Sequence, residues 1–587
     1  MVKVQSLPSI HTVTSTRERL LEFLVILGLF GLTAGVYSFL FNRSNVLSHS
    51  IGYNLYASER VLEGAVPYRD FHTLYPPATF YLNALFFRWL GISLHSALLG
   101  VMVFKVLTAV AIYLSGREIM PRIWALAVAL PSVLWLRPNG PFKSVPMHYG
   151  ALFLALALYL LLKHEKNKQL GSVFLAGASL GLVALFKHNI GAYALAGSLV
   201  WIIFENVNVR QLSHQPQNSD GFEATNVEPE SGRNGIYQSL MLLTGFAVVV
   251  LPALIFMQAN HALQPMIRTM LFGPGEFLLS RLAVPLSPVA PLVLLSAVAV
   301  ATYASNKLRT NDTLAVGCWL ALLVAISVFL LFGSQSDVNQ IIFYLPMFVL
   351  GSGLLIGITG KQVVGSNRRS LLIVSILAAA SLMELFPRFA REQSIAAMPF
   401  VLLALFYLLY LLSPVIREFV GGSWQYRLAL AVLPVTFTII EGRLFFNTYF
   451  ENSFGFKAAT SVSVERGRGA YFPAATATMI DKAVRYIQDQ VDVDSNAFAQ
   501  SDAGTSLLFL ANRRNVSNAQ FWVGVGVTEG ERAATLDRID KSQTKLIITS
   551  DEVLAAEKYD PMRDYIERNF KPTVRFDEVL LLERRTN

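Results

Sequence analysis

The chain has 587 residues, 53% of them hydrophobic and only 15% charged, with a mean hydropathy of +0.48. A water-soluble fold carries roughly a quarter charged residues, so this composition points to a polytopic membrane protein with a soluble part. The formal net charge of +9 belongs to cytoplasmic loops and anionic headgroups rather than to nucleic acid, and basic, aromatic-bearing nucleic-acid motifs are absent.

Residues 1–19 are polar and form a cytoplasmic N-terminus, and Leu20 to Phe41 is apolar over about the bilayer thickness of roughly 20 residues. The run is long and no small-residue cleavage site follows at Phe41-Asn42-Arg43, so it reads as a retained first span rather than a signal peptide. A first outer loop then occupies residues 43–93, with the short apolar stretch Thr79 to Leu90 lying at the interface because Arg88 interrupts it. Further spans are expected near 94–115, 121–137, 147–163, 170–187, 190–206, 237–258, 285–304, 313–333, 341–359, 370–387, 396–413 and 428–446, about thirteen in all. With the N-terminus inside, Arg117, Arg122, Lys163, Lys166, Lys168, Lys307, Arg309, Lys361, Arg368, Arg369, Arg417 and Arg427 fall in cytoplasmic connections, in agreement with the positive-inside rule. The polar, Asn-, Ser- and Glu-rich segment 206–236 reads as a flexible cytoplasmic insertion. His261 to Pro285 reads as an outer interfacial segment. The single cysteine, Cys318, sits in an apolar run and excludes an intramolecular disulfide or a cysteine metal site.

Residues 20–446 thus make a transmembrane domain, and 447–587 a soluble one on the outer side, because the span count is odd. In the latter, helical spacing at Met479–Gln490, Thr505–Ala511, Glu529–Ile539 and Pro561–Phe570 alternates with strand-like runs at Ala497–Ala499 and Lys545–Thr549, and Val574–Leu582 reads as a terminal strand or hairpin. Asp551 is expected to cap a helix starting near Glu552. This alternation predicts a small α/β domain. The fold class is therefore a polytopic α-helical membrane protein with a C-terminal extracytoplasmic α/β domain.

The first outer loop is the most patterned stretch. It runs Tyr53-x-x-Tyr56-Ala57, Leu62-x-Gly64-x-x-Pro67-Tyr68-Arg69-Asp70-Phe71, Tyr75-Pro76-Pro77, then Tyr81-Leu82 and Phe86. Tyrosines suit a membrane interface, and a carboxylate among aromatic and basic residues there can handle a lipid-borne polar group. The alternative is an interfacial helix pair that only packs. The pattern resembles the first outer loop of the bacterial GT-C membrane glycosyltransferases, similar to the aminoarabinose transferase and protein mannosyltransferase types, which take a polyprenyl-phosphate sugar as donor. One departure stands out: the family's acidic pair before the first tyrosine is here Ser50 and Ile51. Tyr565-Ile566-Glu567-Arg568-Asn569-Phe570 also looks like the late helix of the family's periplasmic domain.

Sugar transfer from a lipid phosphate requires a base for the acceptor hydroxyl, cations or donors for the leaving phosphate and a groove for the lipid tail. No soluble-nucleotide motif is present. Asp70 is the leading base. Its rival role is to pair with Arg69 or cap the following turn. Glu59 and Glu63, four apart on a helix, read as a solvated face; His49, His72 and Asp337 are weaker candidates. For phosphate, Arg69, Lys187, His188, Arg388 and Lys143 are the candidates, His148 beside Lys143 having a weaker claim. Lys187-His188-Asn189 interrupts two apolar helices, where a cation is costly unless solvated or paired, and the resemblance implies a lysine followed by a polar residue here. Arg388, in Phe386-Pro387-Arg388, resembles a family element that usually continues with Asp and His, but Ala390 and Gln393 stand in those places. No metal site is assigned and no cofactor is required, although Asp70 can offer one hard oxygen ligand to a divalent cation.

The leading expectation is a glycosyltransferase of the inner membrane, multi-pass, using a polyprenyl-phosphate-linked sugar and a lipid, glycan or protein acceptor. Alternatives are a non-catalytic relative that binds lipid-linked sugars in envelope assembly, which the missing acidic pair favours, and a secondary transporter. Transport is disfavoured because internal repeats and mid-span polar residues are not evident.

Overall fold

The computed structural model describes residues 16–40, 51–135, 145–213, 231–280, 366–385, 396–420, 459–517, 529–555 and 560–585, with 346, 349–351, 353–354 and 358. Helix α1 spans Thr16–Leu40, α2 Ile51–Leu62, α3 Ala78–Leu90, α4 Leu94–Ile119, α5 Arg122–Trp135, α6 Val145–Asn167, α7 Leu170–Phe186, α8 His188–Ser213, α9 Ser231–Ala259 and α10 Leu263–Ser280. Helices α11, Ser366–Leu382, and α12, Met398–Val420, follow, with a short 3-10 turn at Met383–Leu385 between them. Four of the described helices, α1, α4, α6 and α9, are long and apolar enough to cross a bilayer, and α5, α7, α8 and α12 are shorter apolar helices. The spans expected at 285–304, 313–333 and 428–446 lie outside the described residues.

The helices form a continuous apolar bundle. Helices α6, α7, α11 and α12 bury their Leu, Ala and Phe side chains in one cluster. Where α7 crosses α9 the backbones nearly touch. A methyl at Gly177 would lie 2.0 Å from the Leu242 carbonyl oxygen, and one at Gly245 1.9 Å from that of Phe174. Such close crossing is how helices gain contact in a solvent as apolar as themselves.

One end of α4 carries the charges expected at a cytoplasmic face. Glu22 of α1 accepts from Arg117 (3.0 Å) and Arg122 (2.9 Å), and Glu118 faces Lys166 (3.5 Å). The other end of α4, at Leu94, is buried in the same cluster as the C-terminal domain. Basic residues and the folded tail thus sit at opposite ends of a helix of about 39 Å.

The C-terminal domain holds a five-stranded sheet ordered β4-β3-β5-β7-β6: β3 is Asn496–Ala499, β4 Arg514–Asn515, β5 Leu546–Thr549, β6 Phe570–Phe576 and β7 Val579–Arg584. Strand β3 runs parallel to β4 and β5, whereas β7 is antiparallel to β5 and β6. A two-stranded ribbon, β1 Ala459–Ser461 with β2 Tyr471–Pro473, precedes it. Helices α13 (Ala474–Gln490), α14 (Asp502–Ala511), α15 (Glu529–Lys541), α16 (Asp551–Ala555) and α17 (Asp560–Asn569) complete it. The α/β alternation is as expected, with one difference: Ser550 Oγ accepts from the Val553 N–H (3.4 Å) and caps α16, while Asp551 pairs with Arg575 (2.6 Å).

The first loop and this domain share one core. Leu55 and Tyr56 of α2 and Phe87 of α3 are buried with Leu507, Phe509 and Leu581, and the rings of Phe87 and Phe509 stack at 6.0 Å. Helix α2 lies directly on α14, where Gly52 leaves no room for a side chain: a Cβ would come 2.1 Å from Ser506 Oγ and 2.4 Å from Ser506 N. The Asn515 N–H donates to the Tyr56 hydroxyl (2.8 Å). Arg466 closes the seam with a two-pronged bond to Glu59 (2.7 and 2.9 Å) and a further one to the Phe509 carbonyl (2.9 Å). Glu59 is buried, so the solvated face expected for Glu59 and Glu63 holds for Glu63 alone. Its place in the helix pattern could not show that a partner would arrive from four hundred residues downstream.

Burial pushes the Glu59 carboxyl up, against the opposing pull of Arg466. A pair of this kind specifies geometry more than it adds stability. Arg466→Ala should therefore cost on the order of 3–5 kcal/mol, by leaving Glu59 buried alone, whereas Glu59→Met with Arg466→Leu should be much milder. Thermal unfolding of the three purified proteins in detergent reads the order.

Candidate active site

Asp70 stands in a tight turn built by the loop itself. Tyr68 adopts a left-handed backbone with φ of 68°, its N–H donating to the Phe71 carbonyl (2.8 Å). Left-handed backbone is unfavourable for a ring-bearing side chain, and the fold holds it by burying that ring against Met257, Ala262 and Met266. The Tyr68 hydroxyl donates to the Tyr75 carbonyl (2.6 Å). Asp70 Oδ2 accepts from the Val66 N–H (2.7 Å), and its carboxylate takes Arg69 side-on, Nε to Oδ1 at 2.9 Å and Nη2 to Oδ2 at 2.7 Å. Arg69 and the Val66 N–H together hold the Asp70 carboxyl below the usual carboxylate range. Pairing with Arg69 and capping the turn are thus both realised, and they leave the carboxylate ionised and partly exposed. His72 contributes its carbonyl, which accepts from the Tyr53 hydroxyl. Tyr53, Phe71 and Phe80 pack edge to face around this turn.

Lys187 is the only residue between α7 and α8. Its backbone is extended, with φ −145° and ψ 92°, so the two helices reverse over a single residue. The ammonium lies 2.9 Å from Glu384 Oε2 and 5.6 Å from the centre of the Tyr75 ring. Glu384, in the turn after α11, is almost wholly buried, and its Oε1 has no hydrogen-bond partner among the described residues. His188, the first residue of α8, is half-buried with Nδ1 likewise unpartnered among them. His49, Lys143, Asp337 and Arg388 lie outside the described residues.

Asp70 and Lys187 share no direct contact. They are joined through Tyr75, whose carbonyl receives Tyr68 and whose ring lies beneath Lys187. Sequence reasoning missed Glu384. Its signal was available, a lone carboxylate inside an apolar run, which by its desolvation cost marks a site. Lys105, buried within α4, carries the same signal, as does buried His148 of α6, whose Nδ1 is unpartnered among the described residues. No group of three or more His, Cys, Asp or Glu that could hold a metal occurs among the described residues.

Residues 75–216, from Tyr75 through α3 to α8 and so including Lys187, match the family described as dolichyl-phosphate-mannose-protein mannosyltransferase. The matched segment makes up about a quarter of the chain. A comparison with curated proteins gives no match. Among solved structures, the chain is similar to the Archaeoglobus fulgidus oligosaccharyltransferase tethered to an acceptor peptide, with 12% identity and a TM-score of 0.47 over 94% of this chain and 73% of that one. It is also similar to ArnT from Cupriavidus metallidurans bound to undecaprenyl phosphate, with 11% identity and a TM-score of 0.45 over 97% of this chain and 98% of that one. The oligosaccharyltransferase AglB of Archaeoglobus fulgidus with an inhibitory peptide and a dolichol-phosphate matches with 13% identity and a TM-score of 0.43, over 92% and 72%. The matched segment covers the helices on either side of Lys187, and the first-loop turn bearing Asp70 lies just N-terminal to it.

The Lys187–Glu384 pair gives a direct test. Lys187→Met should destabilise the protein by about 3–5 kcal/mol, because Glu384 is left buried alone. Adding Glu384→Leu to Lys187→Met should recover most of the loss, read by thermal unfolding in the same detergent.

Proposed function

We propose that the protein transfers a sugar from a polyprenyl-phosphate donor to a lipid, glycan or protein acceptor at the outer face of the cytoplasmic membrane. The observation that carries this reading is the match of residues 75–216 to a family that uses a lipid-phosphate sugar. The outer placement is supported by the position of the basic cluster around Glu22 at the far end of α4 from the C-terminal domain.

In the step itself the acceptor hydroxyl gives its proton to Asp70 as its oxygen bonds the anomeric carbon. The bond from that carbon to the phosphate oxygen breaks, and polyprenyl phosphate leaves with the electron pair. Arg69 keeps Asp70 ionised and in place. Lys187 supplies positive charge for the leaving phosphate, with His188 beside it and with Arg388 and Lys143 as further candidates. Glu384 holds Lys187 until a phosphate competes for its ammonium. His49, His72 and Asp337 are secondary candidates for the base.

A second reading, a non-catalytic relative that binds lipid-linked sugars, is favoured by Ser50 and Ile51 at the place of the family's acidic pair and by the engagement of Lys187 with Glu384. Transfer of labelled sugar from polyprenyl phosphate by protein in lipid nanodiscs separates the two. Asp70→Asn should lower kcat by about 100-fold or more, and Lys187→Ala should raise KM for the donor. Unchanged turnover in both variants rejects the assignment.

The pH profile is a separate check. Arg69 lowers the Asp70 carboxyl from its ordinary value of 3.8, so the base stays ionised as pH falls and the acid limb of kcat/KM should lie below that value. Arg69→Gln removes the largest lowering contribution, and its acid limb should move to higher pH. A limb unmoved by Arg69→Gln would show that another group titrates.

A further inference from the structure

The seam between the first loop and the C-terminal domain opens into a groove of about 1000 Å3. Arg60 and Arg69 face it from the loop, and Arg514, Arg538 and Lys541 from the domain. Glu63 and Asp70 are the carboxylates on its wall. Asp70 is taken up by Arg69 (2.7 Å) and Lys541 by Asp537 (2.7 Å), while no ion pair among the described residues engages Arg60 or Arg514. Positive charge is therefore concentrated where two separate parts of the chain meet. Mutual repulsion makes such a concentration unfavourable in itself, and an anion entering the groove relieves it. Four of the five cations are arginines, whose planar forks match the paired oxygens of phosphate and carboxylate. The neutral polar side chains of Asn496 and Ser542 on the same wall suit sugar hydroxyls.

Asp70 ties this groove to the chemistry. Its carboxylate, the proposed base, lies on the wall of the groove, so a hydroxyl of a molecule seated there can reach it. We infer that the groove is the acceptor site and that the acceptor is an acidic saccharide bearing phosphate or carboxylate groups. The inference rests on the glycosyl-transfer reading and names the substrate class for that site. Neutral saccharides gain hydrogen bonds there but bring no charge to Arg60 and Arg514.

Binding is tested with the full chain in nanodiscs of neutral phosphatidylcholine, by fluorescence anisotropy of labelled hexagalacturonate and labelled pentamannose phosphate. Labelled maltohexaose is the neutral control. Both acidic probes should bind, and weaken with added salt. Arg60→Gln with Arg514→Gln should weaken them about tenfold or more, since each lost charge-assisted contact is substantial. Lys482→Gln, exposed on α13 away from the groove, should leave both affinities unchanged. Arg514→Lys should fall between wild type and Arg514→Gln.

Equal affinity in the wild type and the double variant overturns the inference, as does equal binding of maltohexaose. Binding confined to vesicles containing phosphatidylglycerol, with no affinity for the acidic saccharides, overturns it in favour of a lipid headgroup. Because these assays contain no donor, their failure leaves the transfer reading standing. Intact binding without any transfer rejects that reading alone.

Discussion

The buried bond between Glu59 and Arg466 is the constraint on which the rest of the structure depends. It joins an early helix to a domain that begins hundreds of residues later, across a seam too tight at Gly52 for any side chain. Two charges withdrawn from water carry a large desolvation penalty, and burial raises the Glu59 carboxyl even with Arg466 beside it. Hydrophobic burial of Leu55, Phe87 and Phe509 supplies the attraction. The ion pair selects one docking geometry among those the apolar surfaces would allow. Asn515 donating to Tyr56 fixes the rotation of α2 further.

From that docking follows the site. After α2 the chain from Val66 to Phe71 makes a tight turn, with Tyr68 left-handed and its ring packed against α9 and α10. The turn presents Asp70 outward and supplies its own cation, Arg69. Tyr75 carries the connection inward: its carbonyl holds Tyr68, and its ring lies under Lys187 at the break between α7 and α8. A carboxylate at the groove and a half-buried cation at the helix break are thus linked through one tyrosine. The cations of the C-terminal domain reach the same groove only because the domain is docked.

Much of this was legible in the sequence, and the part that was not has a physical reason. Apolar length gave the membrane class, because bilayer thickness acts on local composition. Strand and helix periodicity gave the α/β tail nearly element by element. The loop pattern pointed to Asp70 and Arg69, and the broken apolar run to Lys187. Glu384 and Lys105 stand as isolated charges in apolar runs, a signal that the sequence reading passed over. The partners of those charges were hidden, since Glu59 with Arg466 and Lys187 with Glu384 are long-range pairs that no local period records. Glu59 reads as solvent-facing on its own helix and becomes buried only through the tertiary fold. The basic groove was hidden for the same reason, its arginines being unremarkable until two segments meet.

The central claim is that the first loop and the C-terminal domain lie together on one outer face. In a background lacking the single cysteine (Cys318→Ala), the exposed positions Glu63 and Lys482 can each be changed, Glu63→Cys and Lys482→Cys, and treated with a membrane-impermeant maleimide on intact spheroplasts. Both variants should label from outside without permeabilisation. Labelling of one from outside and of the other only after the membrane is opened would contradict the shared face, and with it the groove and the site built upon it.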